Sequence, residues 1–188
     1  MRVVVGVDEV GRGSWAGPLL VVAARAHRDL PVGLKDSKLL SKKRREELYE
    51  LLLETCQFGE GWVQPEEIDA KGLAGAMRLG VARALIELGT GFEDWIILDG
   101  NINYCPEEFL NTSAVIGADA THPIVSAASI YAKVKRDAHM VRVADLYPDY
   151  KFEKHVGYGT KLHQQMLEKF GVSKIHRKSY GPVKALLV

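Results

Sequence analysis

Acidic residues end or follow three apolar runs of this sequence, each run being a predicted strand. Asp8 and Glu9 come at the end of a Val-rich run, Asp99 follows WIIL, and Asp119 follows the run at 113–117. A single Asp after a strand is common, because Asp suits turns. Four carboxylates that converge on neighbouring strand ends are costly, because they repel one another and lose hydration, and a divalent cation offsets both costs. The pattern predicts a metal site at one end of a sheet.

The candidate ligands are all carboxylate oxygens, and no His or Cys joins them in a convincing spacing. This donor set favours Mg²⁺ or Mn²⁺ over zinc. Two such ions, roughly 3.5–4 Å apart, suit phosphoryl transfer to water. We therefore predict a hydrolase that uses two divalent ions.

The geometry of the first strand sets a condition on this site. Side chains alternate across a strand, so Asp8 and Glu9 cannot share a face if the strand continues. We therefore expect the strand to end at Glu9, with Gly11 and Gly13 permitting the turn.

The elements that position these acids can be read from hydrophobic periodicity, caps and breakers. Strands are predicted at 2–8, 18–27, 58–64, 94–98 and 113–117. Helices are predicted from the Ser41 cap to Thr55, at 66–88 with a break near Gly72, from Pro123 to about 146, at 161–170 and at 181–187. This order predicts an α/β fold with a mixed central sheet and helices on its faces, followed by a helical segment.

Three further patterns each allow a functional and an ordinary interpretation. Lys133 and Asp137 share a helix face, either as a surface ion pair or as part of a phosphate site. The GRG turn at 11–13 is either an anion-binding turn or an ordinary glycine turn. Tyr158, between two glycines, either stacks on a sugar or base or merely caps the core.

Charge is divided unevenly along the chain. Residues 1–150 carry a net charge of −5 and residues 151–188 carry +6, for a total of +1. A basic segment beside an acidic body suits a polyanionic substrate, although a solvated basic tail would look the same.

Composition narrows the protein class. The 188 residues suit one medium domain. Cys56 and Cys105 lie in no metal-ligand spacing, so we expect two reduced thiols. The N-terminal apolar run is too short for a signal peptide and no run approaches a membrane span, so we expect a cytoplasmic protein with no membrane partner.

Taken together, these residues resemble the ribonuclease HII family, in its order and spacing over nearly the whole chain. The matching segments are VGVDEVGRGSWAGPL at 5–19, LKDSKLLS at 34–41, ILDG at 97–100, ADATHPIVSAASIYAKVKRD at 118–137 and HVGYGT at 155–160.

The resemblance implies a ribonuclease-H-like fold, with five mixed strands flanked by helices and a C-terminal helical appendage. It implies a catalytic core at 1–146 and a basic helical region at 147–188 that forms one wall of the substrate groove. It implies cutting of RNA in RNA–DNA hybrids and cutting 5′ of ribonucleotides in duplex DNA, leaving 3′-hydroxyl and 5′-phosphate ends.

The resemblance also assigns roles to residues. Asp8, Glu9, Asp99 and Asp119 match catalytic metal ligands, and Asp137 matches a further aspartate near the metals. Gly11, Arg12 and Gly13 match a turn that reads the ribonucleotide, and Tyr158 matches a tyrosine that senses it. The predicted phosphate contacts are Lys35, Ser37, Lys38 and Lys133.

One departure from the family concerns its partners. Members that bind the replication clamp carry a Gln-rich, aromatic-ended C-terminal peptide, which YGPVKALLV lacks. We therefore expect no clamp binding by that route, and we expect a monomer. Two rival functions stay open: another ribonuclease-H-like enzyme such as a DNA nuclease or recombinase, which would cut all-DNA duplex, and a non-catalytic nucleic-acid-binding domain, which would need no metal.

Overall fold

A five-stranded mixed sheet forms the centre of the protein. The computed structural model describes residues 3–34 and 40–187, so the predicted contacts Lys35, Ser37 and Lys38 lie outside the described residues. The strands are β1 (Val4–Val10), β2 (Leu19–Ala26), β3 (Cys56–Val63), β4 (Trp95–Asp99) and β5 (Thr112–Val115). Their order is β3-β2-β1-β4-β5. The first three strands pair antiparallel, whereas β4 runs parallel to both β1 and β5.

Helices cover both faces of this sheet and continue after it. They are α1 (Lys42–Thr55), α2 (Pro65–Leu88), α3 (Ala118–Thr121), α4 (Pro123–Leu146), α5 (Phe152–His155), α6 (Lys161–Phe170) and α7 (Gly181–Lys184), with a 3₁₀ turn at Pro148–Tyr150. The mixed sheet, the Ser41 cap and the break at Gly72 are confirmed. The short α3, α5 and 3₁₀ turn were not predicted, because three or four residues are too few to show a helical period.

Two apolar layers sandwich the sheet. Val5, Val7 and their neighbours pack against α2, and Val10, Leu20 and theirs pack against α1 and α4. The contact with α4 is close because Gly6 has no side chain: a Cβ there would lie 2.5 Å from the carbonyl carbon of Ile124. The N-terminal half of α4 is therefore seated directly on β1.

The segment after α4 forms a third core that joins the first loop. Phe152, Leu167 and Val183 are buried in it together with Ala16 from the β1–β2 loop. Two isolated antiparallel bridges pair Ser14 with Tyr158 and Ala16 with His176. The C-terminal region therefore packs against the loop that carries the GRG turn.

Both cysteines are buried and unbridged, as predicted. Within residues 3–34 and 40–187, no helix has both the length and the apolar character needed to cross a membrane.

Candidate active site

Asp8 and Asp99 lie side by side at the ends of adjacent parallel strands. In the β1–β4 register, Val7 pairs with Leu98, and Asp8 and Asp99 are the next residues on their strands. Neighbours in register point to the same side of a sheet. Both carboxylates therefore belong to the face that α4 covers, as expected for acids at the ends of neighbouring strands.

Glu9 differs from the expectation. The strand β1 continues to Val10, where Val10 still pairs with Leu20, so the prediction that it ends at Glu9 is wrong. By alternation, Glu9 starts on the opposite face from Asp8. Its Oε1 lies 3.5 Å from Nη1 of Arg12 in the following turn. Asp8 and Glu9 are therefore adjacent in the chain, but their side chains leave β1 on opposite faces of the sheet.

The Asp8 carboxylate is buried close to two other acids, Glu9 and Asp99. Its residue is only 7% exposed. Burial, the charge of Glu9 and the charge of Asp99 raise the pKa of Asp8 well above its usual value, against hydrogen bonds from the Ser129 side chain and the Glu9 N–H that lower it. The ionised form of Asp8 is therefore disfavoured by its burial and by the neighbouring acids.

Asp119 reaches the same strand ends through a short helix. After β5, Gly117 takes a left-handed conformation with φ of 69°, and Asp119 lies in the first turn of α3, 5% exposed. The Asp99 Oδ1 accepts a hydrogen bond of 2.8 Å from the Ala118 N–H. Asp99 is therefore bound to the backbone directly beside Asp119.

A cleft of about 410 Å³ connects Asp8 and Glu9, but not Asp99 or Asp119, to the glycine turn and the tyrosine. Its lining comprises Asp8, Glu9, Val10, Gly11, Arg12, Gly13, Ser129, Lys133 and Tyr158. Within it, the Gly11 N–H donates to the Tyr158 hydroxyl oxygen at 3.2 Å. The structure thus brings together two regions that are 147 residues apart in the chain.

Two buried arginines hold this arrangement in place. Arg136 donates to the carbonyls of Pro18, Val156 and Ala16 at 2.8, 3.0 and 3.2 Å. Arg177 donates to the carbonyl of Gly17 at 3.0 Å, and to that of Arg12 at 3.2 Å. Burial lowers the pKa of Arg136 to about 10, so it stays charged at neutral pH.

Sequence reasoning missed both arginines. Their partners are backbone carbonyls, which every residue has, so no spacing of residue types marks them.

Lys133 stands between two clefts. Its ammonium lies 2.9 Å from Asp137 Oδ1 and 5.7 Å from the centre of the Tyr158 ring. It lines the acid cleft and also a neighbouring cleft of about 290 Å³, which Asp137 shares with Lys42 and Arg45. The predicted pair exists, and its lysine lines the acid cleft whereas its aspartate lines only the neighbouring one.

The oxygen ligands of these acids suit a hard divalent cation, whereas the positions of the side chains suit one less well. Asp8, Glu9 and Asp99 act on one another electrostatically, and all offer the oxygen ligands that such cations prefer. Within 3–34 and 40–187, however, no three His, Cys, Asp or Glu side chains form a group that could hold a metal ion. Because like charges repel, a cation would have to draw these acids together.

Known proteins resemble this chain throughout. Ribonuclease HII of Coxiella burnetii is 42% identical over 185 residues, which cover 97% of this chain and 90% of that protein. A chain in the structure of the PCNA:RNase HII complex from Archaeoglobus fulgidus has a TM-score of 0.79 and 26% identity, covering 95% of both chains. Ribonuclease H2 from Pyrococcus horikoshii has a TM-score of 0.74 and 26% identity, covering 98% of this chain and 96% of that one.

The family model described as Ribonuclease HII matches residues 5–183. The five-stranded mixed sheet with flanking helices is the ribonuclease-H-like fold that was expected. The chain therefore belongs to the ribonuclease HII family, a family of hydrolytic nucleases.

Proposed function

We propose that this protein cuts on the 5′ side of ribonucleotides, both in RNA–DNA hybrids and singly embedded in duplex DNA, leaving 3′-hydroxyl and 5′-phosphate ends. Membership of the ribonuclease HII family implies ribonuclease H endonuclease activity on RNA–DNA hybrids. The finer proposal is supported by one observation. A single cleft joins Asp8 and Glu9 to the GRG turn and Tyr158.

Ribonucleases H generally use divalent metal ions. We propose that Asp8, Glu9, Asp99 and Asp119 hold two Mg²⁺ or Mn²⁺ ions, with Asp137 as a fifth acid nearby. When bound, such ions supply the Lewis acidity that favours attack by water and departure of the 3′ oxygen. The raised pKa of Asp8 supports this proposal, because its ionised carboxylate lies where a cation would be stabilised.

The ribose 2′-hydroxyl is the mark that the tyrosine side of the cleft would read. It can both donate and accept hydrogen bonds. The Tyr158 oxygen accepts the Gly11 N–H, so the phenol proton can be donated to a 2′-oxygen. A Cβ at Gly13 would meet nothing within 4 Å, so the backbone of the turn is open to an approaching sugar.

The remaining predicted contacts concern the phosphate backbone. Lys133 is half-buried between the two clefts, where its charge would attract a phosphate beside the acids. Lys35, Ser37 and Lys38 stay predicted phosphate contacts. We propose that the region 147–188, with its net charge of +6, forms one wall of the groove beside the core at 1–146.

The test is cleavage of a labelled DNA duplex that holds one ribonucleotide, with Mg²⁺ or Mn²⁺ titrated. We expect one cut, at the phosphodiester bond 5′ of the ribonucleotide. Asp99→Asn should abolish cutting while circular dichroism shows an intact fold. The control Asp145→Asn makes the same change at an exposed position on α4 and should leave cutting unchanged.

Two results would favour other functions. Equal cutting of an all-DNA duplex would indicate a DNA nuclease or recombinase. Binding of the duplex without metal-dependent cutting would indicate a non-catalytic nucleic-acid-binding domain.

A further inference from the structure

Three histidines lie buried together behind the tyrosine turn, and none of them was among the predicted site residues. His155, His163 and His176 are 6%, 0% and 1% exposed. The rings of His155 and His163 stack with centroids 4.3 Å apart, and the Nε2 atoms of His163 and His176 are 3.0 Å apart. Across the described residues they belong to no group that could hold a metal ion. Their hydrogen bonds must therefore explain their position.

The groups at both ends of the His163–His176 pair fix where each proton lies. The Ser173 N–H donates to His176 Nδ1 at 3.0 Å, so that nitrogen is an acceptor. A neutral His176 then carries its proton on Nε2 and donates it to His163 Nε2. His163 must carry its own proton on Nδ1, which donates to the Tyr158 carbonyl oxygen at 3.0 Å. The chain of hydrogen bonds runs in one direction, from Ser173 to Tyr158.

Both histidines are neutral at pH 7. Burial, followed by the neighbouring imidazoles, lowers the pKa of His163 to about 4 and that of His176 to about 3. A proton added to His163 would place two N–H groups face to face at 3.0 Å. The chain therefore keeps the donor that faces the Tyr158 carbonyl.

The turn at 157–159 is confined on its other side by Trp15. The backbone N–H of Trp15 donates to the Gly157 carbonyl at 2.8 Å. A Cβ at Gly159 would lie 2.1 Å from the indole ring of Trp15. The Trp15 and His163 rings are 5.5 Å apart. The Tyr158 carbonyl also accepts the Thr160 N–H at 2.8 Å. Of the two residues that donate to that carbonyl, His163 is buried and Thr160 is exposed.

We propose that His163, oriented by His176, is a positioning residue for Tyr158, whose hydroxyl it keeps against the Gly11 N–H in the active-site cleft. His163 touches the backbone of Tyr158 and acts only through it. The inference rests on the proposed role of Tyr158 in reading the ribonucleotide.

A matched pair of variants isolates the donor. His163→Leu and His163→Asn have nearly the same shape, and both leave the His176 Nε2–H without its partner. Only Asn keeps an N–H group where Nδ1 stood. The first readout is hydrogen exchange of the Gly11 amide, which reports the Tyr158 hydroxyl without substrate. The second is the kcat for cutting at a single ribonucleotide.

In His163→Leu we expect exchange at Gly11 to rise at least about tenfold and kcat to fall about tenfold, the effect of losing about one hydrogen bond. His163→Asn should restore both toward wild type. Equal changes in the two variants, or unchanged Gly11 exchange in folded His163→Leu, would overturn the inference. If exchange rises but cutting is unchanged, His163 does position Tyr158, and the proposed role of Tyr158 in cutting is wrong instead.

A measurement on the wild-type protein covers the case in which neither variant folds. Nitrogen-15 chemical shifts of the imidazoles distinguish the two tautomers. We expect His163 to be protonated at Nδ1 and His176 at Nε2 at pH 7. The opposite tautomer at His163 would remove the donor to Tyr158 and overturn the inference.

Discussion

The acid side of the active-site cleft, at Asp8 and Glu9, and its tyrosine side, at the GRG turn and Tyr158, differ in how their buried polar groups are partnered. On the acid side, Asp8 is buried beside Glu9 and Asp99, and its pKa is raised by that burial and by their charges. On the tyrosine side, Arg136 donates to three carbonyls, and neutral His163 donates to a fourth.

This difference separates chemistry from recognition. A carboxylate that must bind a cation is useful when the protein places little positive charge beside it, since its unfavourable electrostatic energy is relieved when the cation binds. A group that must read the shape of a sugar is useful when its position is already determined, since little ordering remains to be done on binding. On the proposed function, the acid side would be completed by an added cation, whereas Tyr158 is positioned by groups of the chain itself.

The largest expected effect comes from breaking the tyrosine side at Arg136. Arg136→Met should orphan three carbonyls and lower the free energy of unfolding by about 3 kcal/mol, after allowing for relief of the buried charge. Urea unfolding measures this. The matched control is Arg142→Met at an exposed position of the same helix, which should change stability by less than about 0.5 kcal/mol. Equal losses in both would contradict the assigned role of Arg136.

Acid should weaken the same side. In the unfolded chain, histidines take up protons below about pH 6.5, whereas burial keeps His163 and His176 neutral down to about pH 4 and about pH 3. Their contribution is therefore complete above pH 6.5 and is lost as the pH falls towards 4, by about 1.4 kcal/mol per pH unit for each histidine.

Unfolding in urea at pH 7, 6 and 5 measures this slope. His163→Asn should reduce it, whereas His27→Gln, at an exposed position, should not. An unchanged slope in His163→Asn would show that His163 is not held neutral in the folded protein.

Removing the hydroxyl on the tyrosine side should affect recognition alone. Tyr158→Phe loses the partner of the Gly11 N–H and the proposed donor to the 2′-oxygen, so cutting at single ribonucleotides should fall about 10- to 100-fold. Calorimetric titration with Mn²⁺ should show unchanged metal affinity. Equal losses of cutting and metal binding would mean that Tyr158 does not act as a separate recognition residue.

The smallest expected change is a gain in the free energy of unfolding of the metal-free protein. Asp8→Asn replaces a buried acid with a neutral amide that keeps an oxygen for the Glu9 N–H, so without metal it should raise the free energy of unfolding. The same variant should lose cleavage. A destabilised Asp8→Asn protein would show that the carboxylate is already compensated.

The sequence predicted the parts of the molecule that depend on local pattern. The sheet and the long helices follow from apolar periodicity, the Ser41 cap and Pro123. The neighbouring positions of Asp8 and Asp99 follow because two parallel strands end at the same edge.

The parts that it did not predict depend on contacts between distant residues. Arg136 binds the carbonyl of Pro18, 118 residues away, and His163 and His176 recognise one another only after folding. Backbone carbonyls and buried imidazoles leave no periodic signature. The extension of β1 past Glu9 was also missed, because pairing with β2 outweighed the turn signal of the glycines.

The most direct test is thermal unfolding with and without Mn²⁺, for the wild type, Asp8→Asn and the exposed control Asp145→Asn. We expect Mn²⁺ to raise the Tm of the wild type and of Asp145→Asn, because it neutralises the clustered acids, and to leave the already stabilised Asp8→Asn nearly unchanged. An equal rise of Tm in all three proteins, or none in the wild type, would contradict the claim that the acid side is completed by a divalent cation.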